Sequence, residues 1–317
     1  MSATSALRKK GSALRRRSMM RPIARAAALA AALLFCSVAA MAQLVSYQEL
    51  LARPHAKADA RIPYGKDPLQ FVELWLPKTG GPHPVVLLVH GGCWLSELPG
   101  LELMNPMAEA LRAHGYAVWN IEYRRIGVQG GGYPNTFLDA AAASDFLREN
   151  AGRFRLDLAR VIAVGHSAGG HLAMWLAARG RVPAGSPLAS KNPLKIAGVV
   201  SLAGILDLKG YREDGSACGG APTVDAITGK NARSGQDVFA DTSPQVLVPS
   251  GVPSVIVAGG RDLIVPDHWR LSYVAAAQAA GDKPGSVGIA EAGHFELIDP
   301  KSFAWPQIVA AIDSLAK

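Results

Sequence analysis

Cysteine is scarce in this sequence: three occur in 317 residues, and one of them, Cys36, sits in an N-terminal segment unlike the rest of the chain. Only Cys93 and Cys218 lie beyond it, too few for any zinc-binding spacing, so no metal is expected. The two could pair, but sequence alone does not decide it. Internal repeats and low-complexity tracts are also missing beyond that segment, which excludes a solenoid or a disordered linker protein. Acidic residues are absent before Gln43, whereas Arg8, Lys9, Lys10, Arg15, Arg16, Arg17, Arg21 and Arg25 crowd the same stretch. The chain carries 33 basic and 25 acidic residues, a net charge of +8. Those eight side chains account for the whole excess, so the remainder is balanced and no nucleic-acid partner is expected.

What the N-terminal stretch does contain is a basic start, the apolar run "AAALAAALLFCSVAAMA" and the small-residue ending Ala40-Met41-Ala42. That pattern predicts a secretory signal over residues 1–42, cleaved before Gln43, with Met19 or Met20 as alternative starts. An uncleaved anchor is the rival. The run is short and mostly alanine against the roughly 20 apolar residues of a membrane span, so no stable membrane anchor is expected after cleavage. Bulky Phe35 before Cys36 argues against a lipoprotein. The mature chain, 43–317, is then expected outside the cytoplasm, periplasmic or extracellular, where thiols are oxidised.

Past the leader, short apolar runs alternate with helical patterns: "PVVLLVH" (84–90), "LELMNPMAEALRAHG" (101–115), "YAVWNIEY" (116–123), "NTFLDAAAASDFLRENA" (135–151) and "RVIAVGH" (160–166). "KIAGVVSLAG" (195–204), "VPSVIVAGG" (252–260), "HWRLSYVAAAQAA", "GSVGIAEAG" and a closing helix near 301–316 continue the series. Apolar strands without alternation require a sheet covered on both faces, so the pattern predicts an α/β domain with a mostly parallel sheet. Residues 67–84 alternate in polarity and end in Pro and Gly, predicting an antiparallel hairpin at the N-terminal edge. Residues 207–250 are polar and rich in Gly, Ser and Asp, and read as an irregular insertion or lid at the carboxyl edge of the sheet.

Gly165-His166-Ser167-Ala168-Gly169 lies between an apolar run and a helical pattern. A serine there projects its hydroxyl from a sharp turn, and flanking glycines let strand and helix meet without a Cβ clash. Such a hydroxyl is a weak nucleophile until a base, itself oriented by a third group, stands beside it. Asp262 follows one predicted strand and His294 the next, giving the chain order Ser, Asp, His. Asp207, after the preceding strand, is the rival acid; Asp262 has the more compact exit, Gly-Gly-x-Asp. His166 and His171 flank the serine too closely to serve as its base and are expected to pack.

Attack on a carbonyl builds an oxyanion that backbone N–H groups can stabilise. "HGGCW" (90–94) follows a strand at the position that supplies such donors, so Gly91, Gly92 and Cys93 are candidates together with Ala168. His90 is expected to hold the loop, Cys93 to be a small side chain on the pocket floor, and Trp94 to wall the substrate pocket. "EYRR" (122–125) is expected to shape a strand exit.

With HGGCW, GHSAGG, the Asp262 exit and the His294 loop, the sequence resembles the α/β-hydrolase superfamily of serine esterases and lipases over about residues 65–316. More narrowly it is similar to the bacterial feruloyl/acetyl-esterase-like (BD-FAE-type) group and to kynurenine formamidases. The resemblance implies an α/β-hydrolase fold and cofactor-free hydrolysis of a small-molecule carboxylic ester through an acyl-enzyme. An arylformamidase or amidase is the alternative. Export weighs against it, because the formamidase substrate arises inside cells. A non-catalytic binding module on the same fold would need no activated serine. Cys93 stands where the formamidases often carry tyrosine.

Overall fold

Unbroken apolar runs bury both faces of a strand, and that is how the centre of this molecule is built. The computed structural model describes residues 43–215 and 217–317, of which Leu44–Lys317 form one compact unit. The expected leader, 1–42, lies outside the described residues.

Strands β1 (Ala60–Pro63), β2 (Phe71–Trp75), β3 (His83–Val89), β4 (Ala117–Ile121), β5 (Leu156–His166), β6 (Gly198–Leu202), β7 (Ser254–Gly259) and β8 (Gly285–Ile289) make one sheet in the order β1-β2-β4-β3-β5-β6-β7-β8. Every residue of β4, β6 and β7 is buried. All pairings from β4 to β8 are parallel, and β1–β2 and β2–β4 are antiparallel. This is the α/β-hydrolase arrangement, with the antiparallel strands at the N-terminal edge.

The predicted hairpin is displaced along the chain. Its second strand is β2, but its first is β1, upstream of residue 67, paired in the register Ala60–Leu74 to Pro63–Phe71. The Pro- and Gly-rich end of that segment leads into β3, which pairs with β4 and β5 instead of folding back on β2. The segment does hold an antiparallel strand near the N-terminal edge, but β2 is largely buried between β1 and β4, and the half-exposed edge strand is β1. Alternation could not say on which side the partner lay.

The helices are α1 (Tyr47–Leu51), α2 (Asn105–His114), α3 (Asn135–Asp145), α4 (Leu147–Phe154), α5 (Ala168–Ala177), α6 (Leu208–Asp214), α7 (Gly220–Thr228), α8 (His268–Ala279) and α9 (Trp305–Leu315). Helix α2 begins with a proline in its first turn and stops at Gly115, whose φ of 111° suits the left-handed helix end. Helix α5 is buried continuously from Ala168 to Leu176 and packs on β3, β5 and β6, the centre of the sheet. A helix apolar all round is stable only when enclosed.

The stretch 207–250 is irregular only in part: residues 233–250 are turns and coil, but what precedes them is largely helical. The segment forms α6, α7 and a short 3-10 turn at Lys230–Ala232, and it buries Val224, Ile227 and Leu247. Its polar residues are spent on internal pairing. Asp241 is fully enclosed and accepts from Arg233, Tyr133 and Ser186, and Arg212 pairs with Asp225 at 2.6 Å. Buried charge satisfied in this way looks like loop in a composition count.

Candidate active site

Strand β5 ends at His166 and α5 starts at Ala168, so Ser167 alone makes the turn, at φ 56° and ψ −122°. A non-glycine residue held there costs on the order of 1–3 kcal/mol, which the surrounding packing must offset. The glycines explain how the turn fits. A Cβ on Gly165 would stand 2.1 Å from the Gly169 carbonyl oxygen, and one on Gly169 would stand 2.2 Å from that of Val89. Strand, turn and helix touch backbone to backbone, which only glycine allows.

The exits of β7 and β8 meet in the same manner. A Cβ on Gly259 would lie 2.4 Å from the Ala292 carbonyl oxygen. This approach brings Asp262 and His294 together: Oδ2 of Asp262 is 2.6 Å from Nδ1 of His294. A carboxylate only accepts, so Nδ1 carries the proton and Nε2 is left with its lone pair. The other carboxylate oxygen, Oδ1, accepts the N–H groups of Ile264 and Val265 at 2.8 and 2.9 Å. The Asp262 side chain is fully enclosed, so all its partners are protein groups fixed in place.

The rival acid is elsewhere. Asp207 caps α6, accepting from the N–H groups of Lys209 and Gly210, and takes a further bond from Gln245. The histidines beside the serine pack, as expected. His166 donates from Nε2 to the His294 carbonyl at 3.0 Å, with the ring centroids 4.3 Å apart. Burial, reinforced by His294, pushes its pKa well below the ordinary histidine value. His171 donates to the Thr242 carbonyl, and burial lowers its pKa to about 4. Both are neutral at pH 7.

In the loop from His90 to Trp94, three successive residues are left-handed: Gly92 (φ 93°), Cys93 (52°) and Trp94 (58°). A Cβ on Gly91 would sit 2.9 Å from the His166 carbonyl oxygen and 3.1 Å from Cβ of Ser167, so Gly91 packs directly against the serine turn. Gly92 and Cys93 line the same cavity as Ser167 and His294. Ala168 is the first residue of α5, and its N–H belongs to the end of a helix where backbone donors point outward.

A buried network holds this loop through His90, as expected, but with partners that the sequence reading did not name. His90 faces Glu122 Oε1 through Nε2 at 2.9 Å and the Gly91 carbonyl through Nδ1 at 2.8 Å. Tyr123 stacks on the His90 ring at 4.2 Å and donates its hydroxyl to the His90 carbonyl. Glu122 also accepts the Leu101 and Tyr123 N–H groups, and Arg125 donates to the Leu98 carbonyl at 2.6 Å. Burial alone would raise the Glu122 pKa, but His90, Arg125 and the Tyr123 N–H outweigh it and hold the carboxyl down at about 2. The signal was in "EYRR": an acid and an arginine at the end of a wholly buried strand must find partners inside.

One expectation about this loop is corrected, and one question the sequence left open is answered. Trp94 does not wall the pocket; it is completely buried, with its ring edge-on to His171 at 5.2 Å. Its left-handed backbone turns the side chain into the core. Cys93 does line the cavity, but not as a free thiol: it is disulfide-bonded to Cys218, with Cα atoms 5.2 Å apart across 125 residues of sequence. Ala217, next to Cys218, lines the cavity as well. The bond therefore ties the HGGCW loop to the 207–250 segment.

The cavity measures about 200 Å³, and Leu98, Pro99, Leu103, Ile264, Tyr47 and Phe295 supply its apolar walls. No lysine, arginine, aspartate or glutamate among the described residues lines it. Among the described residues, no group of three or more His, Cys, Asp or Glu is arranged to hold a metal ion, and no helix is long and apolar enough to cross a membrane.

The model of the BD-FAE family matches residues 72–271. Among curated proteins, the chain is similar to Esterase LipC of Mycobacterium tuberculosis (strain ATCC 25618 / H37Rv), 28% identical over 252 residues that cover 75% of this chain and 60% of LipC. Carboxylesterase NlhH of the same organism is 32% identical over 154 residues, 47% of this chain and 46% of NlhH. The chain thus spans less than two thirds of the length of these relatives. Among solved structures, esterase B from Lactobacillus Rhamnosis (HN001) superposes with a TM-score of 0.68 at 20% identity, covering 94% of this chain and 97% of that one. At that identity the likeness speaks for the fold.

Proposed function

The chain belongs to the BD-FAE family, and from that premise we propose that it is a serine hydrolase that cleaves carboxylic esters of small acyl groups. The observation that carries this reading is that Ser167 and His294 line one apolar cavity while Asp262 grips the far nitrogen of the imidazole at 2.6 Å. Fold alone would not suffice, since one fold hosts many chemistries. The names of the similar mycobacterial proteins, an esterase and a carboxylesterase, support the same reaction class.

In the reaction so assigned, the Ser167 oxygen bonds to the ester carbonyl carbon as its proton passes to Nε2 of His294. The tetrahedral oxyanion lies against the N–H groups of Ala168 and of Gly92 or Cys93. Asp262 holds the imidazole in the tautomer that can accept a proton and stabilises the imidazolium. Collapse breaks the bond to the alcohol, which leaves with the proton from Nε2. A water then gives a proton to the same nitrogen as its oxygen bonds to the acyl carbon, and collapse breaks the bond to the Ser167 oxygen, which takes the proton back from Nε2 as the acid leaves. None of these steps calls on a cofactor.

Export is part of the proposal. The basic, apolar and small-residue leader supports it, as does the Cys93–Cys218 bond, since disulfides persist outside the cytoplasm.

The test is a panel of chromogenic acetyl and butyryl esters, a feruloyl ester and N-formylkynurenine. The wild-type protein is expected to turn over the small esters, and Ser167→Ala to lose about 10⁴-fold or more in kcat. Fast cleavage of the formamide with poor ester turnover, or retained activity in Ser167→Ala, would overturn the reading.

A further inference from the structure

One wall of the cavity comes from the chain before β1. Residues 44–53 run across the loop that carries His294 and are pinned to it at two points. The Val45 N–H donates to Glu296 Oε1 at 2.6 Å, and Arg53 pairs with Asp299 at 2.7 Å. Both carboxylates are buried, with Glu296 3% exposed and the Asp299 side chain 2%. Glu296 uses its second oxygen to accept the N–H of Gly293, the residue before His294. Between the pins, Ser46 and Glu49 cap each other's ends of the first turn of α1, and Leu50 is fully buried in the core. A five-residue helix is far too short to persist alone, so these contacts hold it in place. They also set Tyr47, which lines the cavity beside Phe295 with ring centroids 6.1 Å apart.

We propose that Tyr47, held by the Val45–Glu296 clamp, is a specificity-determining residue that restricts the acyl group to short, uncharged chains. The proposal rests on the esterase reading above. Three observations converge on it. The cavity is small, about 200 Å³, and the Tyr47 ring is part of its wall, so the room left for an acyl chain depends on where that ring sits. Among the described residues, its walls carry no charged side chain that could pair with an acidic substituent, and an unpaired charge moved into apolar surroundings is strongly disfavoured. Finally, the segment that carries the Tyr47 ring is pinned at Val45 by a buried carboxylate that also holds the Gly293 N–H beside His294, so this wall and the catalytic base share one support.

The experiment measures kcat/KM for acetyl, butyryl, hexanoyl and octanoyl esters of one chromogenic alcohol, using the whole protein. Tyr47→Ala is expected to raise the octanoyl-to-acetyl ratio by about tenfold or more, since one or two methylenes in a pocket already discriminate on that scale. Tyr47→Trp is expected to move it the other way, cutting butyryl turnover more than acetyl. Glu296→Gln, which weakens the clamp while keeping the shape of the side chain, is expected to shift the ratio in the same direction as Tyr47→Ala. A uniform fall across all chain lengths in these variants, or unchanged ratios, would overturn the assignment of Tyr47 while leaving the esterase reading intact. No ester turnover by the wild-type protein would instead overturn the reading and this proposal together.

Discussion

The carboxylate of Asp262 stands 2.6 Å from the His294 ring, and its second oxygen accepts two backbone N–H groups that orient it toward that ring. Asp207 is occupied in a different task, as the cap of α6. Replacing Asp262 by Asn is therefore expected to lower kcat by about 10⁴-fold, because an amide favours the wrong imidazole tautomer. Asp207→Asn should leave kcat within a few-fold, since Asn caps a helix about as well as Asp. Steady-state kinetics on both variants decide the matter, and a reversed pattern would move the acid role to Asp207.

Gly91 touches the serine turn so closely that an added methyl would meet the His166 carbonyl and Ser167 Cβ. Those atoms belong to the turn itself and cannot rotate out of the way. Gly91→Ala should push the loop or the serine out of register and cost on the order of 10²-fold in kcat, the scale of an ångström-sized misplacement. Circular dichroism and melting would show whether the variant is still folded, and a folded variant with full activity would contradict the prediction.

Acid should destabilise the fold in two successive windows. His171 has a folded pKa of about 4, below the ordinary value of 6.5, and His166 is lowered too. Between those values the unfolded chain binds protons that the folded one refuses, so stability falls as pH drops from about 6.5 towards 4. Glu122, held down at about 2 from 4.5, then loses its contribution as pH falls through roughly 4.5 to 2. At 1.36 kcal/mol per unit, that second loss is about 3 kcal/mol. Denaturant titrations across this range should show both declines. His171→Asn should flatten the first slope whatever it does to stability at pH 7, and a slope left unchanged would show that His171 is not its source.

The Cys93–Cys218 bond closes a loop of 125 residues. Cross-links over loops of that length stabilise by about 2–5 kcal/mol, chiefly through the unfolded chain. The double variant Cys93→Ser, Cys218→Ser should melt lower by several degrees, and reductant should lower the melting point of the wild type but not of the variant. Equal reductant sensitivity in both would rule out this bond as the cause.

Local chemistry was enough to read much of this molecule from its sequence. Apolar runs without alternation demand a sheet covered on both faces, and strands β3 to β7 form where those runs lie. The serine turn was legible because an apolar strand, a glycine-flanked serine and a helical pattern follow one another directly, although Gly169 is required by its close approach to Val89 and His90 at the end of β3. His90 could be read as the holder of its loop, but its partner Glu122, on another strand, could not. The polar residues of 207–250 misled because their pairs, such as Arg233 with Asp241 inside the segment and Tyr133 with Asp241 across the molecule, cancel charges that composition counts as exposed.

The sequence by itself determined the α/β class and where its central strands lie, the glycine-flanked serine between strand and helix, and the candidates for its partners, because each is written in local pattern along the chain. The tertiary structure alone decided that Asp262 and not Asp207 faces His294, that Trp94 turns into the core, that Cys93 meets Cys218, and that Val45 is clamped by Glu296 from 251 residues away. Those outcomes arise where separate chain segments close on one another, and hydrophobic periodicity carries no record of which two ends will meet.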